Sequence, residues 1–416
     1  MISIDFGSAA RGSLMLALAA ALPMPASAQW TQWGGPRRDF TAESTGLKDK
    51  WPDGGPPQLW KRELGDSYGT ILVDGETLFV GYRVGPDEFF AALDARTGKT
   101  RWEHKNNAPT TPTMDEYGGG PHSTPLVVGD KLYAVGTNMM FWCLDKNSGK
   151  VVWQHDLVKE FEATIPGRGY SSSPLLYKDT IILPVDPKGG HSLVAFHKDS
   201  GSVVWKHGEF GTTESSPFLI RFDGEDQLVY FTADAVAGFN PGNGEPLWSV
   251  EHKTQYGANL MTPHFDGKDK IFCSAAYDSG ARVVQLTKAD GKTTAKELWF
   301  SRKMRLHHGN ALGLDGVVYG SSGDFGPAFF MAIDIDDGKV LWRERGFKKA
   351  TFLHAGGKFL ILDEDGQLAL ATATPEKLTV ISQAKVAEPY AWAAPTLVGT
   401  RLYVRDRKHI MAFELG

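Results

Sequence analysis

The side chains best suited to binding or proton transfer fall in eight short clusters: Ser67-Tyr68-Gly69, Pro121-His122-Ser123, Arg168-Gly169-Tyr170, Thr213-Glu214-Ser215, Gly257-Ala258-Asn259, His307-His308-Gly309-Asn310, Lys348-Lys349 and Tyr390-Ala391-Trp392. Brought together, Tyr68, His122, Arg168, Tyr170, Glu214, Asn259, His308, Asn310 and Trp392 would ring a small polar ligand or a peptide loop. They offer aromatic faces for stacking, and a guanidinium and a carboxylate for charge. His122 and His308 could also serve as acid and base in a hydrolase or lyase. The competing reading is a hydrated channel whose strand starts are merely capped by polar residues. His307 and His308 are neighbours on an extended chain, so their side chains point to opposite faces and at most one reaches a shared site. No metal is assigned to them. The two cysteines, Cys143 and Cys273, do not make a disulfide scaffold, a zinc ribbon or a haem-attachment motif. G-x-S-x-G, H-E-x-x-H, P-loop and dinucleotide fingerprints are all missing, which removes the usual support for several enzyme classes.

A repeat is what could gather clusters so widely spaced. A block ending in tryptophan recurs at Trp60, Trp102, Trp153, Trp205, Trp248, Trp299 and Trp342, and Gly98, Gly149, Gly201, Gly244 and Gly338 each stand four residues before theirs. Only the Trp299 copy is longer, by four residues. A turn followed by a β-rich triplet precedes each block, at Gly75, Gly129, Asp179, Gly224, Gly267, Gly316, Gly357 and Gly399, with intervals of about 41 to 54 residues. A period of this length, with four strands per unit, predicts an all-β, eight-bladed propeller of four-stranded antiparallel blades. The last unit supplies only Ala393 to Val398, Arg401 to Arg405 and His409 to Phe413, so the strand at Gln58 to Leu64 should complete it and close the ring. Residues 58–416 then form one domain.

In this frame the polar clusters all precede the innermost strand of a blade, at one mouth of the central channel. The tryptophans read as anchors that dock blade on blade. Blade seven lacks one, with Val380-Ile381 in the corresponding stretch. His104, His155 and His207 each follow a tryptophan by two residues and read as surface histidines of the outer strands. Cys143 and Cys273 fall in blades two and five, too far apart to pair, as buried apolar residues. Deleting Gln58 to Leu64 should open the ring, and deleting Gln29 to Phe40 should be milder.

The chain has 416 residues and a net charge of −5, from 44 Lys and Arg against 49 Asp and Glu, with no basic block, which argues against nucleic acid. Leu14 to Leu22 is an apolar run preceded by Arg11 and followed by Ala26-Ser27-Ala28. That pattern is a secretory signal peptide over 1–28, cleaved near Ala28, and it is too short to span a membrane. Residues 29–57 form an N-terminal extension. A lipid anchor would need a cysteine where Gln29 stands. The expectation is a periplasmic or secreted monomer with no transmembrane segment or lipid anchor.

Ala92-Leu93-Asp94-Ala95-Arg96-Thr97-Gly98-Lys99-Thr100-Arg101-Trp102 resembles the A-x-D-x-x-T-G-K-x-x-W docking motif of the pyrroloquinoline-quinone-repeat propellers. Trp30-Thr31-Gln32-Trp33-Gly34-Gly35-Pro36 and Trp51-Pro52 are similar to the openings of exported, single-domain members. The resemblance implies one of two functions. In quinoprotein alcohol dehydrogenases the channel binds the quinone and calcium, and Glu214 and Asn259 would be the counterparts of the metal ligands. The catalytic aspartate is then wanted where His307-His308-Gly309-Asn310 stands, and the adjacent cysteine pair of that branch is absent. In the second branch, the periplasmic propeller of the outer-membrane β-barrel assembly machinery, the blades bind a protein partner without chemistry. The expectation is a non-catalytic exported propeller holding a protein segment or small ligand at the channel mouth. The alternative is a dehydrogenase that uses pyrroloquinoline quinone and calcium to oxidise an alcohol or sugar.

Overall fold

The computed structural model describes residues 29–116, 118–185, 190–324 and 327–416. The signal-peptide assignment to 1–28 lies outside them. Eight antiparallel sheets follow one another along the chain and form an eight-bladed propeller. Blade one runs Leu72–Asp74, Thr77–Val84, Asp87–Asp94 and Thr100–Asn107, which we call strands A to D from the channel outward. Blades two to seven repeat that order. Blade eight takes strands A to C from Thr396–Val398, Arg401–Arg405 and His409–Glu414, and its strand D is Gln58–Glu63, antiparallel to His409–Glu414. The ring therefore closes through the strand expected to close it.

The repeated motif has a local cause. The Asp94 carboxylate accepts the backbone N–H groups of Arg96 and Thr97, at 3.1 and 3.0 Å, and so holds the turn between strands C and D. Gly98 then takes a positive φ of 69° that a side chain would resist. The Trp60 ring of the preceding blade lies on that glycine, and its indole N–H reaches the Ala95 carbonyl at 3.2 Å. The same pairing joins Trp102 to Gly149 and the Lys146 carbonyl, Trp153 to Gly201 and the Lys198 carbonyl, and Trp299 to Gly338 and the Ile335 carbonyl. Each tryptophan thus fastens one blade to the next. Apolar side chains from facing sheets fill the space inward, as where Tyr133 and Phe141 of blade two meet Ile181 and Phe196 of blade three.

Trp248 breaks the pattern for a physical reason. The next blade has the lengthened turn, so Trp248 lies over Gly238 of its own sheet and donates to Gln227 Oε1 at 2.8 Å. Gln227 Nε2 in turn reaches Thr293 of the next blade at 2.8 Å and restores the connection. Strand pairing in blade seven puts Ser382, not Val380-Ile381, at the tryptophan position, because Ser382 faces Leu370 just before the β-bulge. His155 is also more enclosed than a surface histidine, with Nδ1 2.6 Å from Glu160 Oε2 and Nε2 2.8 Å from the Gly201 carbonyl. Cys143 and Cys273 are buried and free, and burial pushes both thiols up to about 12.

A glycine substitution separates the two jobs of that turn. A Cβ on Gly149 would stand 2.4 Å from the Trp102 ring, whereas one on Gly129, also at positive φ, meets nothing within 4 Å. Gly149→Ala should therefore cost about 1–3 kcal/mol more than Gly129→Ala, as overpacking does in a filled core. Urea unfolding of the two variants checks this.

The N-terminal extension is built into the ring. Gln29–Trp30 adds a fifth strand to blade one, and Thr41–Ala42 adds one, in parallel, to blade seven. Between them the chain crosses the channel, where Trp33 Nε1 donates to Thr262 of blade five and Arg38 Nη2 to the Pro174 carbonyl of blade three. Trp30, Phe40 and Trp51 are buried. The Trp51 backbone N–H bonds Ser382 Oγ of blade seven at 3.1 Å. Among the described residues no helix is long and apolar enough to cross a membrane.

Candidate functional site: the channel mouth

Strand A of every blade starts at the same mouth, and hydroxyl side chains stitch these starts together. Ser67 donates to the Pro121 carbonyl at 2.6 Å, Ser123 to Ser172 at 2.9 Å, Ser172 to Ser215 at 2.6 Å, Ser215 to Met261 at 3.0 Å and Thr396 to Ile71 at 2.6 Å. Each bond crosses from one blade to the next, which explains the polar residues there without any ligand. Asn310 is part of this stitching, since its Nδ2 donates to the Phe352 carbonyl and its Oδ1 accepts the Phe352 N–H, at 2.9 and 3.0 Å.

Inside the stitched ring lies a cavity of about 340 Å³, floored by Trp33. Of the nine residues singled out in the sequence, Tyr68, His122, Arg168, Glu214, His308 and Trp392 line it. Tyr170, Asn259 and Asn310 do not. Tyr170 turns into the core between blades two and three, with its hydroxyl 3.0 Å from the Pro184 carbonyl. Asn259 is fully buried, its Nδ2 donating to the carbonyls of Thr232, Ala233 and His252. Both residues sit next to the mouth in sequence, but a strand start alternates its side chains, and theirs fall on the inner faces. Tyr277, Asp324 and Lys349 also line the cavity. Tyr277 and Asp324 follow strand B, whose end reaches the same mouth as the start of strand A, so residues before strand A make only part of the rim.

The wall on one side is a continuous arc of rings. Tyr68 stacks on His122 with centroids 5.6 Å apart, and it meets Trp392 at 5.0 Å. Trp392 meets His308 at 4.2 Å, His308 meets His307 at 4.1 Å, and His307 Nε2 lies 2.8 Å from the Tyr277 hydroxyl. Adjacent on the chain, both histidines still line this cavity, because the strand is irregular where they stand. Trp392 is held in place by its Nε1 bond to Glu364 Oε2 at 2.9 Å, and Lys349 Nζ lies 5.5 Å from the Trp392 ring centre. Glu364 is almost fully buried and pairs with Lys348 and Lys349. Burial pushes its pKa up, but Lys348 and Trp392 outweigh burial and hold it below the ordinary value.

Burial also uncharges the imidazoles. It pulls His122 and His307 down to about 4 and His308 well below its ordinary value, so the arc is neutral at pH 7. Opposite the arc, burial raises the Glu214 pKa while the Arg168 charge opposes it. The resulting mouth is an arc of mutually tilted aromatic rings in a cavity that Arg168, Glu214, Asp324 and Lys349 also line. A pH consequence follows. The folded His122 takes up its proton near pH 4 and the unfolded one near 6.5, so the unfolded chain binds more protons in that window and stability falls as pH drops from 6.5 toward 4. His122→Gln should flatten part of that loss and leave stability above pH 7 nearly unchanged, which melting temperature against pH will read.

The repeat, the closed ring and the mouth cavity place the protein among the quinone-repeat propellers. Residues 87–344 match the family model described as outer membrane protein assembly factor BamB, and the chain belongs to that family. It is 24% identical over 336 residues to the quinoprotein ethanol dehydrogenase of Pseudomonas putida, a match that covers 76% of this chain and 46% of the relative. It is 26% identical over 183 residues to the outer membrane protein assembly factor BamB of Kangiella koreensis, covering 40% of this chain and 44% of that one. The chain thus spans about half the length of the curated relatives it matches. Among solved structures, a europium-containing methanol dehydrogenase superposes with a TM-score of 0.66 at 15% identity, covering 91% of this chain and 89% of that one, which shows the shared fold.

The calcium ligand pair implied by the dehydrogenases is not assembled. Glu214 lines the cavity and Asn259 does not: its Nδ2 donates to three carbonyls, and its Oδ1 is buried without a hydrogen-bond partner. Among the described residues no group of three or more His, Cys, Asp or Glu could hold a metal ion. The expected pair of Glu214 and Asn259 is therefore not brought together at this mouth, where Glu214 and Asp324 are the lining carboxyl side chains.

Proposed function

We propose that this chain is an exported, monomeric binding propeller that holds a small ligand, or the tip of a protein segment, in the mouth cavity and performs no chemistry on it. The observation that carries this reading is the aromatic arc, uncharged at pH 7 and facing Arg168 and Glu214 across a cavity of about 340 Å³. That volume is within the range of small-molecule sites. An arc of rings with a few polar groups around it supports recognition by ring contacts and orientation. The relatives named as quinoprotein dehydrogenases make a quinone- and calcium-dependent dehydrogenase the reading to test against it. Against that alternative stands Asn259, which does not line the cavity.

The reading is tested with a panel of small planar and polar ligands scored by the shift in unfolding temperature. Ligands that stabilise the wild type should bind about tenfold more weakly to Trp392→Ala, the loss of roughly 1.4 kcal/mol expected for one aromatic contact. Ligands indifferent to both Trp392→Ala and Arg168→Gln would place binding elsewhere. Substrate-dependent dye reduction by protein supplied with quinone and calcium would overturn the non-catalytic part.

A further inference from the structure

We propose that the channel carries a second binding site, beneath the Trp33 floor, for a small monocarboxylate on an apolar body, with Arg38 as its anchor. A separate cavity of about 270 Å³ lies there, lined by Arg37, Arg38, Asp39, Phe40, Phe218 and Phe265 among others. Thr262, which receives the Trp33 indole N–H, is common to both cavities, so the crossing segment divides the channel into two compartments.

The case rests on how Arg38 is satisfied. Its Nη2 donates to the Pro174 carbonyl at 2.7 Å and its Nη1 to the Pro217 carbonyl at 3.4 Å. Its Nε is sealed from solvent and has no hydrogen-bond partner. Among the described residues no carboxylate pairs with it. The nearest acid in sequence, Asp39, is turned to Thr41, whose N–H and hydroxyl it accepts at 2.9 and 2.5 Å, and to Arg37 at 3.4 Å. Burial pulls the Arg38 pKa down to about 9, which still leaves the group charged at pH 7. His264, also on the wall, is drawn down to about 4 by burial and is neutral.

Arg37 pairs with Asp39 and with Glu43, which lies off this wall, so the cation that faces the cavity without an acid is Arg38, and its charge suits a monoanion. A guanidinium presents a planar fork of donors that matches a carboxylate. Phe40, Phe218 and Phe265 surround it with apolar surface, which favours a carboxylate on a hydrocarbon body over a fully hydrated anion such as phosphate.

Benzoate is the probe. Calorimetric titration of the 29–416 chain, at an ionic strength fixed with chloride, should show one saturable site, weakened at least tenfold in Arg38→Gln. Phosphate should bind more weakly than benzoate. Arg38 also braces two strand starts, so Arg38→Gln could fail to fold. Ala311→Phe keeps Arg38 and fills the cavity from the Ala311 wall, and it should abolish benzoate binding in a folded protein. Trp392→Ala, in the other compartment, should leave benzoate binding unchanged. The proposal is overturned by wild type that shows no saturable heat, by equal affinity in wild type and Ala311→Phe, by tighter binding of phosphate, or by benzoate binding that is lost in Trp392→Ala.

Discussion

Replacing Gln58–Glu63 by a Gly/Ser segment of the same length should leave the protein in aggregates rather than as a folded monomer. The replacement removes the pairing of this strand with His409–Glu414 and exposes the edge of blade eight. An unpaired edge is a template for intermolecular pairing. It also removes Trp60 from Gly98 and the Ala95 carbonyl, so blade eight loses its tryptophan contact with blade one. Truncating a large aromatic in such packing costs about 3–5 kcal/mol by itself, comparable to the whole stability of a marginal domain. Size-exclusion chromatography of the refolded chain reads the outcome, and a monomer with native circular dichroism would contradict it. Deleting Gln29 to Phe40 was expected from the sequence to be milder. The structure narrows that difference, because the segment carries the buried Trp30 and Phe40 and spans the channel through Trp33 and Arg38. Trp30→Ala alone should cost about 3–5 kcal/mol.

Arg83→Met should destabilise the protein by about 3–5 kcal/mol, because it leaves a carboxylate buried without its counter-charge. Arg83 Nη2 lies 2.7 Å from Glu88 Oε1, and neither side chain is more than 5% exposed. Arg83 also donates to the Gly119 carbonyl and to Thr137 Oγ1, at 2.8 and 2.9 Å, while Glu88 accepts the Thr137 backbone N–H. The group thus joins the B and C strands of blade one to blade two. Burial already raises the Glu88 pKa while Thr137 and Arg83 oppose it, so the loss of Arg83 should raise it further. The double variant Arg83→Met/Glu88→Leu should recover part of the loss, since removing both partners costs less than stranding one. Urea unfolding of the two single variants and the double tests this, and simple additivity would contradict it.

The repeat made most of the fold legible before any coordinates. Tryptophan blocks, glycine turns and the unfinished last unit led to eight blades and to the closing strand, because each is a local requirement that recurs. The extension was less legible. Trp30, Trp33 and Trp51 belong to no repeat, and their partners, Val73, Thr262 and Ser382, lie far along the chain. The site was legible in part. Strand starts at one mouth could be listed from the period, but which of two alternating faces a residue takes there depends on local twist, and Tyr170, Asn259 and Asn310 fall away from the cavity. Tyr277 and Asp324 could have been found by reading the end of strand B as a second rim of the same mouth.

The central claim is that the mouth binds through neutral rings and the polar side chains beside them, without a metal and without catalysis. Calorimetric titration of the 29–416 chain with pyrroloquinoline quinone, in the presence and absence of calcium, tests it most directly. The account predicts that calcium adds nothing: any heat is the same with and without it, and any binding weakens in Trp392→Ala. Tight one-to-one binding that appears only with calcium, and is lost in Glu214→Gln, would contradict the account and move the protein to the dehydrogenases.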